Sequence, residues 1–246
     1  MSLLFDTIYC KSDLERRTRL FYEAYASKSS KINDVFIDSY GIKYELVFRN
    51  KPYESAVYSL LKRYYRNEYY IKKSFVIHNL SNSSSVTFTE FPVNDSRADI
   101  VSINGHSAAF EIKTNYDSLT RLGKQINDYS KCFEYIFVIC PEKKVAQVTK
   151  LIPIHCGIYS YNSARINSVF KKNREALISP FISPTVQLCS INKEELLLHF
   201  GASSRSEVAE KNSPHAINCK FKDILKIRYL DKWNEFRNEC NLILRN

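Results

Sequence analysis

Arg97-Ala-Asp-Ile-Val-Ser-Ile-Asn-Gly-His-Ser-Ala-Ala-Phe-Glu-Ile-Lys113 is the stretch whose reading decides the fold. It reads as two apolar, β-branched strands joined at Asn104-Gly105, a dipeptide that tolerates positive φ cheaply. The strands nevertheless carry Asp99, Glu111 and Lys113. Charges in buried strands are costly unless paired or holding a metal. Glu111 and Lys113 are two apart, so they share one face of their strand. A two-residue loop would pair Asp99 with Phe110 and put Glu111 on the other face. A three-residue loop Asn104-Gly105-His106 pairs Asp99 with Glu111 and Arg97 with Lys113. The second register is the expected one, because it gathers two carboxylates and an ammonium. Two carboxylates at one site need a cation, and all-oxygen ligation suits Mg²⁺ or Mn²⁺. A lysine there could orient or activate a water beside the metal.

Working outward, the pattern predicts strands over Tyr69 to His78 and Val86 to Val93. A Ser/Asn loop runs from Asn79 to Ser85, and the turn Asn94-Asp95-Ser96 leads into the central hairpin. After Lys113, a helix capped by Asp117 or Ser118 is expected through about Ser130, with Leu119, Leu122, Ile126 and Tyr129 inward. Phe133 to Cys140 reads as a buried central strand ended by Pro141. A helix over Glu142 to Leu151 and a strand over Cys156 to Tyr161 follow. This order predicts an α/β chain with a mixed central sheet flanked by helices.

Upstream, helices are expected from Asp13 to Ala26 and from Pro52 to about Tyr65, with residues 27–50 irregular and faintly strand-like near Lys43 to Phe48. Glu54 stands in the first turn of the second helix, where a carboxylate also complements the helix dipole. Downstream, Lys171-Lys172-Asn173-Arg174 is a basic cluster and Ser179 to Thr185 a linker. Short helices over Asn192 to Phe200 and Ser204 to Lys211 precede a long basic one over Lys220 to Leu244. The short pair around Gly201 also matches a helix-turn-helix, a pattern that many helical bundles share. The expected organisation is an N-terminal helical segment (1–50), a core (51–162) and a basic helical C-terminal extension (163–246).

Net charge is +10, unevenly spread: residues 1–140 hold 19 Lys+Arg against 16 Asp+Glu, and residues 141–246 hold 17 against 10. Such a surface favours nucleic acid or an anionic membrane. Seven scattered cysteines without a Cys-x-x-Cys pair suggest reduced core thiols in a cytoplasmic protein, and the histidines form no zinc-like pair. The first residues acquire acid at once and do not read as a signal peptide, and no stretch reaches membrane-spanning length.

The set Asp99, Glu111-Ile112-Lys113 and Gln125-Ile126-Asn127-Asp128-Tyr129 resembles the PD-(D/E)XK nuclease superfamily, whose core is a mixed sheet with Glu-x-Lys on the strand after the Asp. The Gln-x-x-x-Tyr spacing on the following helix resembles the RecB and λ-exonuclease-like branch. Asp117-Ser118-Leu119-x-Arg121-Leu122 and Ile152-Pro153-x-x-x-Gly157-Ile158 add a likeness to a bacterial and phage group of PD-(D/E)XK-like proteins. The resemblance covers about residues 85–160 well and the rest loosely. Ala98 departs from it, standing where the superfamily's name has proline.

What the resemblance implies is a restriction-endonuclease-like core and Mg²⁺-dependent (or Mn²⁺-dependent) phosphodiester hydrolysis, with DNA favoured over RNA. Asp99, Glu111 and the Ile112 carbonyl would hold the metal. Lys113 would position the attacking water, and Gln125 would orient Lys113 or the nucleic-acid backbone. Glu54 fits the first acidic position by topology and Glu90 by spacing, with Glu54 ranked first and Glu90 also able to pair with Arg97. Arg121, Lys124, Tyr129, Lys171, Lys172 and Arg174 are candidate nucleic-acid contacts. Two further readings stay open. One is a catalytically silent, DNA-binding regulatory module; the other is an RNA-cleaving effector with a protein partner or inhibitor. A homodimer is one way to make two cuts in a duplex.

Overall fold

The computed structural model describes residues 5–6, 8–49, 51–80, 84–162 and 170–244, with side chains through Asn238 in the last helix. The chain forms two compact units, residues 1–73 with 242–246, and residues 74–241.

The first unit is helical: α1 (Lys11–Ala26), α2 (Ile32–Tyr40), α3 (Tyr44–Phe48), α4 (Tyr53–Tyr64) and the start of α5 (Glu68–Phe75). Two of these correct the expectation of an irregular 27–50. Phe36, Tyr40, Tyr44 and Phe48 recur every fourth residue, all four are buried, and Phe36 touches the other three rings at 4.8–5.8 Å. Gly41, at φ 68°, ends α2 by donating its N–H to Ile37. The left-handed turn hides the continuity of this aromatic stripe from a helix-period reading.

The expected strand over Tyr69 to His78 is also a helix, α5 running into a π turn at Val76–Leu80. Asn67 Oδ1 accepts the N–H of Tyr70 (3.0 Å) and starts it, in the manner of an N-cap. Burial of Tyr70, Ile71, Phe75, Val76 and Ile77 erases the polar face that would have marked a helix in the sequence.

The second unit has a six-stranded sheet: β1 (Val86–Val93), β2 (Ser96–Asn104), β3 (His106–Ile112), β4 (Tyr135–Pro141), β5 (Gly157–Tyr161) and β6 (Lys171–Arg174), in that spatial order. β1, β2 and β3 run antiparallel, β3, β4 and β5 parallel, and β6 returns antiparallel on the edge. The crossover between β3 and β4 carries α6 (Leu122–Ser130). The one between β4 and β5 carries a 3₁₀ turn (Glu142–Lys144) and α7 (Val145–Leu151). The mixed α/β sheet flanked by helices is thus present. The basic cluster at Lys171 turns out to be an edge strand.

Helices α8 (Pro184–Cys189), α9 (Lys193–Phe200), α10 (Arg205–Lys211) and α11 (Pro214–Leu244) complete the unit through Asn241. α9 begins with the capping box Asn192/Glu195, and Ser204 caps α10. The segment expected to be a linker is fastened down. Ser179 is buried, donating its N–H to Glu134 O (2.8 Å) and its hydroxyl to Ser130 O (2.6 Å). Among the described residues no helix is long and apolar enough to cross a membrane.

Glu134, at the mouth of β4, ties α11 to the hairpin. Its carboxylate accepts from Ser107 N (2.7 Å), Asn218 Nδ2 (2.9 Å) and Lys222 Nζ (3.0 Å), and Lys222 also reaches Gly105 O (2.9 Å). Although burial opposes the charge, these donors hold the Glu134 carboxyl below the usual range. A carboxyl depressed in the folded state adds stability above its unfolded pKa, about 4.3, and loses it as pH falls through the folded pKa. Glu134→Gln should therefore flatten the acid limb of a plot of Tm against pH. Glu134→Ala should lower stability near neutrality by about 2–3 kcal/mol in urea unfolding, because it strands buried donors.

Candidate active site

The site begins with the hairpin. Gly105, at φ 71°, turns the chain between Asn104 and His106, and the ladder then pairs Ile103 with Ser107 and Ile100 with Phe110. One step further along this register brings Asp99 opposite Glu111, as the three-residue loop requires. On the other side of β2, Glu90 adopts φ 59° and interrupts the ladder between Thr89–Ile100 and Phe91–Ala98, opposite Asp99. A carboxylate oxygen of Glu90 lies within 4.8 Å of one of Asp99, and Arg97 approaches Glu90 at 3.9 Å in an exposed pair.

Glu111 is only 2% exposed and Lys113 7%, so neither can rely on water. Each is satisfied by the other and by α6. Lys113 Nζ donates to Glu111 Oε1 (2.6 Å) and to Gln125 Oε1 (3.0 Å). Gln125 Nε2 donates to the same Glu111 oxygen (2.7 Å), which fixes the way round of its amide. Tyr129 places its single hydroxyl hydrogen between Glu111 Oε2 and Arg97 O, both at 2.7 Å. Burial first, and then the negative charge of Glu111, push the Tyr129 hydroxyl well above the usual tyrosine range. It stays a donor. Gln125 and Tyr129 reach one carboxylate because they are four apart on α6. Asp99 is held from the backbone, accepting the N–H of Ile112 (2.6 Å).

The structure thus gathers Asp99, Glu111, Lys113, Gln125 and Tyr129. Tyr129 corrects one expectation. It is fully buried and cannot stack on nucleic acid; it positions Glu111 instead. Arg121 precedes α6 and is exposed, and Lys124 makes an exposed pair with Asp95 (3.0 Å). Lys171 and Lys172 are exposed on β6, three strands from β3, with Lys172 paired to Glu175 (3.1 Å). Arg174 is committed to the fold, donating to Cys156 O (2.6 Å) and Pro153 O (3.0 Å). Glu54 belongs to the first unit, where it pairs with buried Lys73 and accepts from the Tyr69 hydroxyl (3.4 Å).

Three contributors were not anticipated. Asp117 does not cap α6, which begins at Leu122; it accepts the N–H of Thr114 (2.6 Å) and shapes the loop after β3. Lys144 clamps that loop through Thr114 O (2.7 Å) and Asp117 O (2.6 Å), and the Tyr161 hydroxyl reaches Lys113 O (3.4 Å). A parallel sheet puts the C-terminal ends of β3, β4 and β5 side by side, and that topology was the signal for Lys144 and Tyr161.

Carboxylate oxygens suit a hard divalent ion in kind, and Asp99 and Glu90 bring theirs within 4.8 Å of each other, whereas those of Glu111 are held by its own donors. Two donors occupy both lone pairs of Glu111 Oε1, and Oε2 keeps one beside Tyr129. Cation binding through Glu111 uses that remaining lone pair or displaces Lys113.

If the cluster is a mutually neutralising buried pair, removing one charge is worse than removing both. Lys113→Met should destabilise by about 3 kcal/mol or more, and the double variant Lys113→Met/Glu111→Gln should regain part of that loss in chemical denaturation.

The profile of the family described as "Bacteriophage P4 protein cII" matches residues 62–245. Protein cII of Enterobacteria phage P4 is 31% identical over 100 residues, which are 41% of this chain and 38% of that relative. The chain therefore matches well under half the length of that protein. A solved structure, a protein of unknown function from Silicibacter pomeroyi, aligns over 64% of this chain and 89% of its own, with 15% identity and a TM-score of 0.36. The family match spans most of the chain, including the whole sheet and the carboxylate–lysine cluster, and on that basis the chain belongs to the bacteriophage P4 cII protein family.

Proposed function

We propose that the protein is a divalent-metal-dependent phosphodiesterase acting on nucleic acid, DNA in preference to RNA. The observation that carries this reading is the buried cluster of Glu111, Lys113 and Gln125, with Asp99 bonded to the N–H of Ile112 between the glutamate and the lysine. A buried Glu-x-Lys pair bridged by a glutamine is an expensive arrangement for a fold that needs only stability. It supports the PD-(D/E)XK resemblance read from the sequence. Asp99 and Glu111, with the Ile112 carbonyl, would hold Mg²⁺ or Mn²⁺. Such an ion lowers the pKa of a bound water and stabilises charge on the phosphate oxygens.

The chain's own residues do the rest. Lys113, released from Glu111, keeps Gln125 as its anchor and holds the attacking water or a phosphate oxygen. Tyr129 and Gln125 keep Glu111 in place as positioning residues. Arg121 and Lys124, exposed at the start of α6, supply sequence-independent phosphate contacts.

One observation favours a second reading. The chain's own residues place donors on both oxygens of Glu111, which suits a silent nucleic-acid-binding module whose cluster is purely structural. Cleavage separates the two. Plasmid, linear and single-stranded DNA and a structured RNA are incubated with Mg²⁺ or Mn²⁺ beside Glu111→Gln, with folding checked by thermal denaturation. The proposal expects metal-dependent cleavage that falls by at least about 10²-fold in the variant. Binding without cleavage by folded wild type, unaltered in Glu111→Gln, selects the silent module.

A further inference from the structure

The face of the sheet opposite Glu111 holds a cleft of about 500 Å³, within the range of small-molecule sites. Ala108 and Phe110 alternate with Ala109 and Glu111, so their side chains stand on the other side of β3. Register makes the floor: Ser102, Ala108 and Tyr135 lie opposite one another on β2, β3 and β4. Two small residues in the middle of a wide sheet leave a depression there. Behind it the rings of Phe110 and Phe137 stack at 5.1 Å and 11°.

Gly157 shapes one wall. A Cβ at this position would sit 2.3 Å from the Phe137 ring and 3.0 Å from the Ala176 nitrogen, and both of those residues line the cleft. Only a glycine lets that ring lie over the backbone of β5. This accounts for the glycine of Ile152-Pro153-x-x-x-Gly157-Ile158, a motif that the carboxylate–lysine cluster does not use.

The walls define a ligand. Tyr135 and Phe137 are half-buried rings, and Asn79 and Asn104 are exposed. Asn79 Nδ2 donates to Phe75 O (3.2 Å) and Asn104 Oδ1 accepts from the Ser84 hydroxyl (3.1 Å), so Asn79 Oδ1 and the Asn104 amide hydrogens face a ligand. Lys172 and Glu175, also lining it, neutralise each other at 3.1 Å. A strongly anionic ligand would meet Glu175 as well as Lys172. An aliphatic one would cover the amides without pairing them. A neutral, flat ring with donors and acceptors on its edge meets both demands.

We infer that this cleft binds a single unpaired nucleobase, stacked on the aromatic wall and read at its edge by the asparagines. The inference stands whether or not the opposite face cleaves phosphodiesters. The base could come from a free nucleoside or from a nucleic-acid strand.

Isothermal titration of the full chain with each common nucleoside, and with short single-stranded oligonucleotides, tests it in wild type, Tyr135→Ala and Asn104→Ala. Saturable binding is expected, weakened about tenfold or more in Tyr135→Ala and several-fold in Asn104→Ala. Nucleoside binding assigns a small-molecule site, and binding of oligonucleotides alone assigns a strand; either supports the inference. Asn104 is exposed, so its variant carries the test if Tyr135→Ala does not fold. The inference is overturned if folded wild type binds neither class, or if binding survives intact in the variants that fold.

Discussion

A carboxylate in the centre of a sheet has to be given hydrogen-bond donors or a counter-charge, because transferring it bare from water is prohibitive. Glu111 receives Lys113, Gln125 and Tyr129. Much of the second unit can be derived from that requirement. Lys113 must share its strand face, which fixes the spacing of two. Gln125 and Tyr129 must come from a helix laid across that face, which fixes α6 in the crossover between β3 and β4. The hairpin must keep the register that brings Asp99 opposite, because a slip of one residue would send Glu111 to the other side of the sheet.

The same economy appears at the other end of β4. Glu134 gathers Ser107, Asn218 and Lys222, so a second buried carboxylate fastens the hairpin tip and the long C-terminal helix to the start of the strand. The two acidic centres differ in what they can do. Glu134 stands among neutral donors and a lysine that also grips a backbone carbonyl, an arrangement that suits anchoring. Glu111 shares Lys113 with the Gln125 amide, and Asp99 on the neighbouring strand binds the next N–H along, at Ile112; that difference is why the proposed chemistry is put there.

Much of this was legible in the sequence, and the exceptions have physical causes. The hairpin register could be read because only one loop length lets three charges share a face. α6 could be read because Leu122, Ile126 and Tyr129 keep a helical period, though its start was misjudged where Asp117 bonds to Thr114 rather than to a helix N-terminus. The Tyr69 to His78 segment reads as a strand because burial on nearly every side removes the polar face that distinguishes the two. Residues 27–50 read as irregular because the stripe from Phe36 to Phe48 crosses a left-handed glycine. Arg174 reads as a nucleic-acid contact, yet its fork is used by two backbone carbonyls that only the β5–β6 pairing brings near.

The central claim is that the Asp99–Glu111 pair is a cation site rather than only a structural cluster. Isothermal titration with Mn²⁺, on wild type and on Asp99→Asn, is the most direct test, with folding verified by circular dichroism. The account predicts one saturable Mn²⁺ site that is lost or strongly weakened in the variant. A folded wild type that binds no Mn²⁺, or binding that Asp99→Asn leaves unchanged, would contradict it.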